Sequence, residues 1–158
     1  MLEDDLYVRF PDGRGRRIRE QQILTADDED LREICAGASL VVLGGNGFTG
    51  MNPRFNASLG MYRDTLTSVQ EDGALSARFR AVYEKLRTVA ADQPMVIFTH
   101  TPMGNWSDRT YEPGWIYISG HTHQNQHTIR EDGTAILADN QIGYAERKWY
   151  LCGFSFDR

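Results

Sequence analysis

At 158 residues, with a formal net charge of −5, 41% hydrophobic and 25% charged residues, the chain has the balance of one globular domain with enough apolar material for a core. The negative balance argues against a nucleic-acid-binding surface: the densest basic stretch, Arg14, Arg16, Arg17 and Arg19, is interrupted and followed by the acidic run Asp27–Asp30. Apolar runs such as Leu40–Leu43 are far too short to span a bilayer, no signal-peptide pattern opens the chain, and Cys35 and Cys152 form no paired motif, so a cytoplasmic location with buried free thiols is expected.

Taken in chain order, Leu6–Phe10 has strand-forming residues and stops at the turn signal Pro11-Asp12-Gly13. Thr25 followed by Asp28 resembles a capping box, so a short helix is expected with Leu31, Ile34 and Cys35 inward and Gly37 at its end. Leu40–Leu43 reads as a buried strand running into Gly44-Gly45-Asn46-Gly47, and the segment around Gly60 reads as loop. A longer helix follows, because Leu75, Phe79, Val82, Tyr83, Leu86 and Val89 recur at helical spacing, and Asp92-Gln93-Pro94 ends it. Met95–Phe98 and Trp115–Ile118 are two further buried strands. Glu131-Asp132-Gly133 is a hairpin turn between Thr128-Ile129 and Ala135–Leu137, and a last strand is expected over Trp149–Phe156. Apolar strands separated by a helix predict an α/β fold, with the late, short-turned strands antiparallel.

All four histidines fall between His100 and His127, and three of them follow strand ends, where side chains converge at the edge of a sheet. Imidazole suits zinc, iron and manganese-type centres. His121-Thr122-His123 would place both rings on one face of a continuous strand, or splay them toward two ions in a loop after Gly120. By itself such a pair reads equally well as a metal site or as surface histidines. His127 reads as a surface or lining residue.

The surrounding strings carry more. Val96-Ile97-Phe98-Thr99-His100-Thr101-Pro102, then Tyr117-Ile118-Ser119-Gly120-His121-Thr122-His123, resembles two successive blocks of the calcineurin-like metallophosphoesterase family, an apolar strand ending in His and another ending in Gly-His-x-His. The resemblance implies a partial four-layer αββα sandwich across residues 1–158, corresponding to the C-terminal part of the family domain. It implies divalent manganese, zinc or iron in a dinuclear centre, with His100 and His121 on one ion and His123 on the other. The implied activity is hydrolysis of a phosphate mono- or diester.

The family's earlier blocks, Asp-x-His, Gly-Asp-x-x-Asp and Gly-Asn-His-Asp or -Glu, do not occur in this sequence. Gly45-Asn46-Gly47-Phe48 resembles a degraded copy of the third block, with Gly47 where its histidine belongs; in the preferred alignment Met1–Val8 and Leu40–Gly50 instead resemble segments after those blocks, Asn46 is a turn residue, and the missing ligands are expected before Met1. On that alignment the isolated chain is expected to bind metal weakly, to have little turnover, and to expose a sheet face open to self-association. The rivals are a non-catalytic interaction module on the same scaffold, or half of a split enzyme. Among secondary candidates, Arg63 suits bidentate contact with a substrate phosphate or a structural ion pair, and Asp139 and Asn140 support the ligands from behind or form a turn. Trp106, Tyr111 and Trp115 wall a cleft or pack in the core.

Overall fold

Alternation governs the first strand of the computed structural model, which describes residues 4–45, 66–107, 110–121 and 126–138. In β1 (Leu6–Arg9), Leu6 and Val8 are buried while Tyr7 and Arg9 are exposed. A turn at 11–14, with Gly13 at φ 84°, leads into β2 (Gly15–Ile18), where only Ile18 is buried. Two helices follow, α1 (Glu20–Thr25) and α2 (Asp28–Ala36).

The cap of α2 differs from expectation. Asp27, not Thr25, caps the helix by accepting the Glu29 N–H at 2.8 Å, while Thr25 is the last residue of α1 and donates its hydroxyl to Gln21 O. A carboxylate beside three further first-turn acids suits the positive end of the helix, and the shared loop leaves Thr25 on the wrong side of the break. Leu31 and Cys35 face inward as expected, and Ile34 is partly buried against them.

The chain then forms β3 (Leu40–Gly45), the long α3 (Leu66–Ala90), β4 (Val96–Thr99), a 3-10 turn (Met103–Asn105), β5 (Ile116–Ser119), β6 (His127–Ile129) and β7 (Ala135–Leu137). The described strands make one seven-stranded mixed sheet in the order β2-β1-β3-β4-β5-β7-β6. β3, β4, β5 and β7 are mutually parallel, β1 and β6 run antiparallel to them, and the outermost β2, antiparallel to β1, runs in their direction. The protein is therefore α/β. The hairpin of β6 and β7 is antiparallel as expected, with Gly133 at φ 83° in its turn. Its placement corrects the expectation that the late strands are antiparallel throughout: β7 lies inside β6 and runs parallel to β5.

One face of the sheet holds the main core. Leu6, Val8, Val41, Leu43, Ile97 and Tyr117 meet Ile23 of α1, Leu31 and Cys35 of α2, and Phe79, Val82, Tyr83, Leu86 and Val89 of α3. Trp106 and Trp115 are fully buried in this core, which settles them as packing residues rather than cleft walls, and Tyr111, partly buried, packs edge-on to Tyr117 of the same core. The opposite face carries a smaller cluster, Val96, Ile116, Ala135 and Leu137 with Leu40, Val42 and Ile118 around it. No described helix is long and apolar enough to cross a membrane. Cys152 and the strand expected over Trp149–Phe156 lie outside the described residues.

Candidate metal centre

Parallel pairing of β4 with β5 is what makes a site. Thr99 sits beside Ser119 in register, so the residues that follow each strand leave the same edge of the sheet as neighbours. His100 is held there by its backbone on both sides. Its N–H donates to Gly45 O at 3.3 Å, and its carbonyl accepts the Gly120 N–H at 3.0 Å. The turn beyond it is fixed by Thr99 Oγ1, which donates to Thr101 O at 2.8 Å.

His121 then takes φ 69°, the only described non-glycine residue with positive φ. A β-carbon in this left-handed conformation costs about 1–2 kcal/mol, and such strain recurs where a side chain must be aimed. Here the twist brings the His121 ring back to His100. Their Nδ1 and Nε2 atoms stand 3.2 Å apart, with ring centroids 5.1 Å apart at 71°. One nitrogen must donate and the other accept, so the pair shares a single proton in the gap.

The spacing also fits a cation. Two imidazole nitrogens about 2.0–2.1 Å from one zinc-like ion stand roughly 3.0–3.4 Å apart when they occupy adjacent coordination positions. A small opening of the two rings would turn both lone pairs toward a shared ion. Among the described residues, no group of three or more His, Cys, Asp or Glu side chains comes together. The described residues thus bring two histidine rings together and no third side chain of these types with them.

His123, Arg63, Asp139, Asn140 and Asn46 lie outside the described residues. His127 opens β6 and is exposed, at the same sheet edge but paired with Leu137 rather than with the histidines. Sequence reasoning overlooked Gly45. A β-carbon built there would overlap Phe79 Cε2 and come within 2.8 Å of Phe79 Cδ2 and Asp4 Oδ1. The available signal was a glycine pair closing a buried strand.

Behind the site, β5 is anchored by a buried hydroxyl pair. Tyr83 and Tyr117 Oη atoms lie 2.8 Å apart, Tyr83 donates to Thr110 O at 3.1 Å, and Tyr117 accepts the Glu112 N–H at 2.8 Å. Burial is the main cause that pushes both phenols up, Tyr117 to about 12. Comparison of the chain with family models, with curated proteins and with solved structures finds no match.

Proposed function

We propose that this chain carries the histidine side of a divalent-metal site for phosphate-ester hydrolysis, on a calcineurin-like metallophosphoesterase scaffold. The observation that supports this reading is the 3.2 Å approach of His100 Nε2 and His121 Nδ1 at the shared edge of parallel β4 and β5. These are the two strands whose sequences resemble the family blocks. A manganese, zinc or iron ion held there supplies Lewis acidity and an acidified water for attack on phosphorus. The chain's own contribution is positional. His100 and His121 offer neutral donors, and His123 extends the Gly-His-x-His string toward a second ion. Arg63 is the residue proposed to meet the substrate phosphate, with Asp139 and Asn140 supporting the histidines.

Two neutral imidazoles leave a divalent charge largely uncompensated, and a dinuclear centre needs carboxylates to offset repulsion between its ions. The chain is therefore expected to hold one ion at most, weakly, and to hydrolyse phosphate esters near background. The small second core of Val96, Ile116, Ala135 and Leu137 supports a four-layer αββα arrangement with another sheet over that face. A non-catalytic interaction module has one observation in its favour: Tyr7, Phe98 and Ile129 are exposed on the same face, Ile129 at 68%.

Calorimetric titration of the full chain with manganese and zinc tests the reading. One weak site that His100→Ala and His121→Ala both abolish is expected. Binding unchanged in both variants, or no binding by the wild type at millimolar metal, would overturn it. Turnover of bis-nitrophenyl phosphate that needs metal and His121 would instead show that the chain is a working hydrolase.

A further inference from the structure

We infer that Gly45 is a positioning residue for the His100–His121 pair, acting through its contact with Phe79 of α3. The inference rests on the metal-site reading only for what the pair does, and not for how the pair is held.

Gly45 is the last residue of β3 and presents its α-carbon to the helix-covered face, where Phe79 is fully buried. The overlap of an added β-carbon with Phe79 Cε2 cannot be relieved by turning the ring aside. Phe79 stands edge-on to the equally buried Trp106, with centroids 4.8 Å apart. Close-packed aromatic walls of this kind transmit displacement rather than absorb it. The strand end is the part that yields.

What moves with it is the site. Gly45 O is the acceptor for the His100 N–H, and His100 O in turn takes the Gly120 N–H. A shift of a few tenths of an ångström at Gly45 therefore passes to His100 directly and to the turn bearing His121 at one remove. The 3.2 Å ring contact has little slack before it leaves hydrogen-bonding range.

Gly44 provides the contrast within the same strand. A β-carbon there would meet Tyr7 Cε2 at 3.5 Å and Asp5 O at 4.0 Å, which are ordinary contacts. Neither glycine has positive φ, so the difference between them is steric and not conformational. The site thus demands glycine at position 45 and tolerates alanine at 44.

The test compares wild type, Gly44→Ala, Gly45→Ala, Phe79→Leu and Gly45→Ala/Phe79→Leu in the full chain. Two readouts are taken: manganese and zinc affinity by calorimetry, and the ring-nitrogen chemical shifts of His100 and His121 in metal-free protein. Gly45→Ala is expected to weaken binding roughly 10- to 100-fold, the range for residues that orient metal ligands, and to abolish the ring–ring hydrogen bond. Gly44→Ala should leave both readouts at wild-type values. The double variant has no atom at the Cε2 position, leucine's branch can rotate away from the Cδ2 contact, and the Asp4 Oδ1 contact lies at the end of a short side chain that can shift, so it should recover both. Wild-type behaviour in Gly45→Ala would overturn the inference, and so would a folded double variant that recovers neither readout. If the wild type binds neither metal, the metal reading fails alone, and the ring-nitrogen shifts still decide the positioning role. If Gly45→Ala does not fold, the double variant decides. Recovery of cooperative unfolding together with the ring contact supports the relay, and a fold without the contact overturns it.

Discussion

The hydroxyl pair behind β5 allows a prediction worked bond by bond. Each phenol has one proton. Tyr83 gives its proton to Thr110 O, so Tyr117 must give its own to Tyr83 Oη, and Tyr117 Oη accepts from Glu112 N–H. The chain of three bonds runs one way, from Glu112 through both tyrosines to Thr110. Tyr117→Phe removes the first two bonds and Tyr83→Phe the last two, at about 1 kcal/mol for each bond. Each single variant should lose about 2 kcal/mol, since the rings stay in place, Tyr83 against Trp106 and Trp115 and Tyr117 against Tyr83 and Tyr111. The double variant loses three bonds and not four, so it should cost about 3 kcal/mol, leaving a coupling of about 1 kcal/mol. Urea unfolding at neutral pH with a common m-value measures all three. Strict additivity, with the double variant at the sum of the singles, would refute a shared central bond.

Three further outcomes follow from particular groups. Burial raises the Tyr117 phenol from its ordinary 10.0 to about 12 and raises Tyr83 as well, so the fold favours the protonated forms: stability should be full below pH 10 and fall as pH rises toward 12. A flat unfolding free energy from pH 9.5 to 11.5 would contradict this, and Tyr117→Phe should lessen the fall. At His121, with φ 69°, His121→Gly should be more stable than His121→Ala by about 1 kcal/mol, because only glycine avoids the left-handed penalty; thermal unfolding giving the reverse order would refute the strained turn. Cys35 is buried and its thiol is pushed up to about 11 by that burial, so in a Cys152→Ser background it should react with a chromogenic disulfide reagent at pH 8 only as fast as the protein unfolds.

How legible the fold was depended on how many residues of an element face the core. β3, β4 and β5 were readable because nearly every residue is apolar, as central parallel strands require. β2 was not, since Gly15, Arg16 and Arg17 are exposed and only Ile18 points inward, leaving no alternation to detect. α1 escaped for the same reason, with Ile23 its single buried residue. α3 was plain from its periodicity, yet Leu75, expected inside, is 38% exposed. The helix has 25 residues, about 37 Å of rise, against about 20 Å for the six residues of β3. Phe79 lies against the last residue of β3, so Leu75, one turn earlier, has run past the end of the sheet. At the candidate site, the meeting of His100 and His121 was legible because each follows an apolar strand. Gly45 was not, because its contribution is the absence of a side chain, and only the position of Phe79 gives that absence meaning.

Topology also constrains where further ligands for the proposed ion would come from. Because β1 runs antiparallel to β3, its first residues reach the same sheet edge as the histidines, and Asp5 O accepts the Gly44 N–H there at 3.0 Å. Asp5 is thus a carboxylate at the proper edge by register alone. Its side chain, however, is 2% exposed and already engaged: it accepts from Arg17 Nε and, at 3.2 Å, from the Glu20 N–H that opens α1. A buried carboxylate holding a guanidinium and a helix N-terminus is stabilised where it is, and withdrawing it to meet an ion would leave both donors unsatisfied. Its role is to tie β2 and α1 to the sheet. The anionic oxygens that would balance a divalent charge beside His100 and His121 must therefore come from outside this ion pair.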